Sequence, residues 1–162
     1  MGRDFALETR VAETGRKVIV FRLGEEDYGV DVQQVDSIER MQPITRVANV
    51  PDFVQGVINL RGVVTPVIDL RSKFGMPQKE HDESTRIVIV HTENVQVGLI
   101  VDSAHDVMHI PAGVVEEPPS GLGEVDARYL EGVAKLEDRL LVLLNLDRVL
   151  SREDVREIQK ED

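Results

Sequence analysis

The sequence predicts a mostly β protein built from one unit used twice, and three observations carry that prediction. The segment at residues 55–70 returns at residues 131–146: Gly56-Val57 is matched by Gly132-Val133, Leu60 by Leu136 and Asp69-Leu70 by Asn145-Leu146. Upstream, residues 17–20 leading to Gly29-Val30-Asp31-Val32 parallel residues 87–90 leading to Gly98-Leu99-Ile100-Val101. The apolar content is 41% but only 4% is aromatic, so the core must be Val, Ile and Leu, whose β-branched members favour strands. Each copy is only about 65 to 75 residues, a size at which one core seldom supplies more than ~3–5 kcal/mol. The copies are therefore expected to lean on each other, leaving between them a groove of the kind that partners use.

Residues 1–16 mix Arg3, Asp4, Glu8, Arg10 and Glu13 without the apolar stretch of a signal peptide or anchor, and are expected to be a flexible terminus. The first lobe is expected over residues 17–84. Its apolar run at 17–23, the acidic turn Gly24-Glu25-Glu26-Asp27 and Tyr28-Gly29-Val30 read as a hairpin. Over residues 31–39 the period changes to three, with Val32, Val35 and Ile38 apolar and Asp31 placed as a cap. That pattern predicts a short amphipathic helix, its stripe buried as a plug. Residues 44–47 form a candidate strand, and Pro51 is placed to open a helical turn.

A second hairpin, 57–60 with 63–68, turns at Arg61-Gly62, whose glycine accepts positive φ. Pro66 lacks a ladder donor, which predicts an edge strand or a bulge. Asp69 caps a helical turn over residues 70–74 that Gly75 and Pro77 end, and residues 78–84 link the lobes. The second lobe is expected over residues 85–150. Its runs at 87–90 and 140–144 are continuously apolar, which implies burial on both faces, with the other lobe as the nearest cover. Residues 118–123 are a loop by composition. Ser151-Arg152-Glu153-Asp154 resembles a capping box opening a C-terminal helix over 151–162, with Val155 and Ile158 as its thin apolar stripe.

The chemistry on offer is sparse. Thirty acidic against nineteen basic residues, a net charge of -11, oppose attraction to a phosphate backbone, so a nucleic-acid binder is disfavoured. No cysteine is present, which excludes disulfides, thiol catalysis and cysteine-ligated metals. His105 and His109 are four apart and would share a face on a helix, the only support for a small metal-dependent enzyme; no third ligand pattern completes a site. Glu25-Glu26-Asp27 and Glu116-Glu117 sit in turns as solvated acids. Gly29 and Gly98 occupy matching strand positions, where close packing or a bulge explains them better than phosphate binding. No nucleotide or hydrolase motif is present, and no enzyme, cofactor or metal is expected. What differs between the copies is the hairpin tip: Asn59-Leu60-Arg61-Gly62 in the first, Lys135-Leu136-Glu137-Asp138 in the second. A guanidinium on a rigid turn suits recognition of a carboxylate.

The run at residues 56–71, together with residues 28–32, 97–102 and Asn145-Leu146, closely resembles the CheW family of bacterial chemotaxis coupling proteins. The likeness spans residues 17–150 as one CheW-like domain. It implies a non-enzymatic adaptor of two SH3-like five-stranded β-barrels that binds the regulatory domain of the CheA histidine kinase and the cytoplasmic tip of chemoreceptors. Such a protein is cytoplasmic, recruited to membrane-associated arrays without inserting into the bilayer. The same fold serves as the kinase's own regulatory domain and as the front half of CheV; with the sequence ending at Asp162, neither a receiver nor a kinase core is expected here. On that resemblance the receptor's helical hairpin is expected in the groove, against Ile19, Val32, Val35, Ile38 and Val101 with Asn59 and Arg61 nearby. The kinase surface is expected at Ile44, Thr45 and Arg46, as pairing of an exposed barrel edge.

Overall fold

The computed structural model describes residues 15–93, 95–117 and 127–151, without the His105 side chain. The loop expected at 118–123, most of residues 1–16, expected to be a flexible terminus, and nearly all of the helix expected at 151–162 lie outside them. Within the described residues eleven strands follow in order: β1 (Arg16–Leu23), β2 (Glu26–Asp31), β3 (Val35–Arg40), β4 (Val54–Leu60), β5 (Val63–Asp69), β6 (Arg86–His91), β7 (Gln96–Val101), β8 (Ser103–Ile110), β9 (Val115–Glu116), β10 (Leu130–Lys135) and β11 (Leu140–Leu144). Two one-turn helices, α1 (Leu70–Lys73) and α2 (Leu146–Val149), close the equivalent hairpins. Asp69 caps α1 through the Arg71 N–H, as its sequence predicts, and Asn145 does the same for α2 through the Arg148 N–H.

The strands form a six-stranded sheet ordered β8-β1-β2-β11-β10-β9 and a five-stranded sheet ordered β3-β6-β7-β5-β4. The duplication is plain in the pairing, since β2 with β11 and β7 with β5 are the two parallel contacts and the rest are antiparallel. The sheets do not follow the two halves of the sequence, however. The β1–β2 hairpin is lent to the sheet of β8–β11, and β6–β7 to the sheet of β3–β5. Residue 84 thus separates two sequence copies without separating two sheets.

This exchange explains the continuous apolar runs. Ile87 and Ile89 point into one cluster with Ile58, Leu60, Val67 and Ile100, while Val88 and Val90 point into a larger layer between the sheets. Val18 and Val20 likewise meet Leu141 and Leu143 inside the other sheet, while Ile19 and Phe21 face the shared layer. Four aromatic rings cross that layer in sequence: Phe21 to Tyr28 at 5.8 Å, Tyr28 to Phe74 at 6.3 Å and Phe74 to Tyr129 at 5.5 Å between centroids.

Three local expectations are corrected. Residues 31–39 are not an amphipathic helix: a single 3-10 turn, Val32–Gln34, capped by Asp31, passes directly into strand β3. Residues 44–47 do not form a strand. Thr45 alone makes a bridge to Val57, and Ile44 packs against the five-stranded sheet's inner cluster. Strand β5 is not an edge, and the bulge lies on its partner β4 between Val54 and Gly56. Pro66 is accommodated because the N–H and C=O of Val57, opposite it, both bond Thr45, so no ladder bond from Pro66 is wanted on that side. Pairing with β7 begins only at Val67.

The repeated glycines meet backbone or core. A Cβ on Gly56, whose φ is +151°, would lie 2.1 Å from the Thr45 carbonyl oxygen, and one on Gly98 would lie 2.6 Å from Ile87 Cγ2. Gly62 has φ +86° and open space around it. Gly56→Ala should therefore cost about 2–4 kcal/mol, and Gly62→Ala only about 1 kcal/mol of backbone strain. Chemical denaturation midpoints of the two variants check the order.

Candidate interaction surface

The spacing of three at Val32, Val35 and Ile38 is produced by a β-bulge. Val35 pairs with Val90, but the register shifts by one at Asp36, so that Ser37 opposes Ile89 and Ile38 opposes Val88. Cross-strand partners share a face. Val35 and Ile38 therefore both lie on the side of Val88 and Val90, toward the layer between the sheets. Of the five apolar residues expected in the groove, Ile19 and Val101 are buried within that layer, and Val32 and Val35 are half-buried against it. Ile38 is 44% exposed. The five form a gradient from core to open margin, and the outer end, β3, is the part a partner can reach. Strand β8 repeats the device: a register shift sets Val107 opposite Ile19, and Val107 is 56% exposed.

The hairpin tip stands next to this margin. Arg61 and Gly62 both have positive φ, +52° and +86°, as a tight two-residue turn requires, although Arg61 has no glycine's freedom there. Asn59 Oδ1 accepts the Gly62 N–H at 2.7 Å and locks the turn. Arg61 Nη2 donates to Glu39 Oε2 at 3.3 Å, tying the tip to β3 across the two outer strands of the sheet, yet its side chain remains 71% exposed. Val63 and Val64, just beyond the turn, are also exposed.

The expected second surface is less open than a free edge. The Thr45 N–H and C=O bond Val57 at 2.9 and 2.8 Å, and Ile44 is half-buried. The exposed parts are the Thr45 and Arg46 side chains. The histidine pair is not helical either, because residues 103–110 are strand β8. Among the described residues no group of three potential metal ligands converges.

Sequence reasoning missed the polar junction between the sheets. Arg71, at the start of α1, donates from Nε to Asp102 Oδ1 at 2.9 Å and from Nη2 to Oδ2 at 2.6 Å, and its Nη1 reaches the Pro77 carbonyl. The Gly24 N–H, in the β1–β2 turn, donates to the same carboxylate at 2.7 Å, and the Asp102 N–H donates to the Arg22 carbonyl at 2.9 Å. Arg71 and Asp102 are only 14% and 13% exposed. One carboxylate thus joins a hairpin of one sheet to α1 and β7 of the other. Both residues stand in the runs that carry the family resemblance, but no periodicity pairs them. Burial pushes the Asp102 carboxyl up, and the Arg71 fork and the Gly24 N–H outweigh it, holding it below the ordinary carboxylate range. At Asp69 the balance reverses: burial raises the carboxyl despite the N–H groups of Arg71 and Ser72.

A duplicated pair of sheets with its best polar contacts spent on the junction, and with an apolar margin and an arginine-bearing tip left open, is an interaction scaffold. Comparison with known proteins agrees. Residues 17–154 match the CheW-like domain. The chain is 42% identical over 145 residues to the chemotaxis protein CheW of Bacillus subtilis, covering 90% of this chain and 93% of that protein. It is 37% identical over 141 residues to the CheW of Klebsiella aerogenes, covering 87% and 85%. The crystal structure of the scaffolding protein TtCheW from Thermoanaerobacter tengcongensis matches with a TM-score of 0.77 at 35% identity, over 86% of this chain and 90% of that one. The chain belongs to the CheW-like family, and the solved relative it matches is a scaffolding protein.

Because the Asp102 carboxyl is depressed in the folded state, its stabilisation is present above the unfolded value of about 3.9 and is lost as pH falls through the lower folded value. Asp69, shifted the other way, gains stability as it protonates and partly offsets that loss. Asp102→Asn should cost about 2–3 kcal/mol at neutral pH, with a gap to the parent that narrows below pH of about 4. Urea titrations of both proteins across that range check the direction.

Proposed function

We propose that this chain is a chemotaxis scaffold that couples chemoreceptors to the CheA histidine kinase in signalling arrays. The observation that carries the reading is the open apolar margin of β3, with Ile38 at its outer end, beside a tip that holds Arg61 exposed. An amphipathic helical hairpin from a receptor tip would lay its apolar face along that margin, with Ile38 and the half-buried Val32 and Val35 as anchors. Ile19 and Val101 would act from beneath by holding the layer those anchors rest on. Arg61 would set register against an acceptor on the receptor helix, and Asn59 would serve by fixing the turn. The kinase's regulatory domain would take the side chains of Ile44, Thr45 and Arg46 as part of its contact.

Such a scaffold carries signal without chemistry: a receptor that displaces it biases the kinase's active population only by the difference in affinity between the two states. The protein would reside in the cytoplasm and be recruited to membrane-associated receptors. Among the described residues no helix is long and apolar enough to cross a membrane.

The conformation of Arg61 gives a sharp test. Left-handed backbone costs a non-glycine residue about 1–2 kcal/mol, and an exposed ion pair such as Arg61–Glu39 returns about 0–1 kcal/mol. Glycine's greater freedom in the unfolded chain takes back about 0.5–1 kcal/mol, so Arg61→Gly should change stability by no more than about 1 kcal/mol. In a reconstituted assay with receptor-bearing vesicles and kinase, it should still abolish receptor-dependent kinase control. A normal response from this well-folded variant defeats the assignment. Calorimetric titration with the isolated kinase regulatory domain should show one-to-one binding, weakened at least about tenfold by Arg46→Glu through like-charge or lost-pair effects.

A further inference from the structure

Strand β3 is arranged against its own hydrophobic preference. Ser37 faces Ile89 on the inner side of the five-stranded sheet, and its Oγ is buried with no hydrogen-bond partner, while Ile38 is 44% exposed on the other face. Removing the bulge at Asp36 would continue the Val35–Val90 register, placing Ile38 opposite Ile87 in the inner cluster and turning Ser37 outward. A slip of one residue exchanges the two faces of a strand. It would bury an isoleucine and free an orphaned hydroxyl, both favourable. Something must hold the strand in the opposite arrangement.

The bulged residue supplies it. Asp36 Oδ1 lies 2.8 Å from His91 Nδ1 at the end of β6, and Asp36 Oδ2 accepts from Gln96 Nε2 at 2.8 Å at the start of β7. A carboxylate only accepts, so His91 Nδ1 carries the proton in this contact. Both oxygens are thereby engaged by the two strands of the neighbouring hairpin, at the one residue the ladder leaves unpaired. We infer that Asp36, His91 and Gln96 form a clasp that fixes the β3 bulge, and so presents Ile38 instead of Ser37 to the open margin between the sheets. The clasp also sets Arg61, because Glu39 follows Ile38 in the same register and a slip would carry its carboxylate to the other face. Asp36, His91 and Gln96 are thus positioning residues for both features of the proposed receptor surface, and the inference rests on that reading for its functional meaning.

The cysteine-free sequence makes the test direct. Ser37→Cys and Ile38→Cys are made singly and alkylated with a maleimide in the parent background and with Asp36→Ala, thermal melting confirming the fold. In the parent, position 38 should react at least about tenfold faster than position 37, as exposed and protected sites do. Asp36→Ala should erase or invert that ratio, and Asp36→Asn, which keeps an acceptor for His91, should restore it in part. If Asp36→Ala does not fold, Gln96→Ala is used, with a smaller shift in the same sense expected. An unchanged ratio in whichever of these variants folds, or equal reactivity at both positions in the parent, overturns the clasp. Alkylation involves no receptor, so a failure of the receptor reading leaves this result standing. If both hold, Asp36→Ala should also weaken binding of an isolated receptor hairpin by the chain.

Discussion

Val88 and Val90 face one apolar layer while Ile87 and Ile89 face another, and a strand buried on both sides cannot sit at a surface. Each central strand therefore needs cover from the other sheet, and the exchange of hairpins between the two sequence halves supplies it. The shared layer is the largest apolar cluster, and it takes in side chains from both sheets, both one-turn helices and the row of four rings. The margin of β3, the tip of the β4–β5 hairpin and the junction at Asp102 all take their positions from that layer.

Within this nearly two-fold frame, the polar contacts are one-sided. Arg71 and Asp102 join the sheets at one place, whereas Asp147 stands where the repeat would put a second Arg71. The tips differ as well: Arg61 reaches across to Glu39, while at the second tip Arg139 turns to Asp27. A duplicated backbone thus carries two different surfaces.

Much of the fold was legible because it depends on local chemistry. The hairpin at Arg61-Gly62, the Asp69 cap, the packing role of Gly29 and Gly98, and the burial of residues 87–90 on both faces follow from turn geometry and residue type. What failed depends on pairing between distant segments. A period of three at Val32, Val35 and Ile38 is what a helix gives, and also what a strand with one extra residue gives; only the partner β6 decides, and its identity is not encoded nearby. The same limit hid the hairpin exchange. Of the candidate surface, Ile38 and Arg61 stand at exposed positions. That Asn59 Oδ1 fixes the turn is visible only once the hairpin is folded.

The exchange of hairpins also governs how the chain can be made. Strand β2 pairs with β11 through Asp27–Leu141, Tyr28–Val142 and Gly29–Leu143, so this segment stays without its partner until residues 141–143 have been made. Until then the β1–β2 hairpin exposes both an apolar face and an unpaired edge, the conditions under which nascent chains aggregate. Long-range parallel pairing is slow to form because loop closure precedes its reward. Yield in the cell should thus respond to translation rate and chaperone supply more than the stability of the finished protein would suggest.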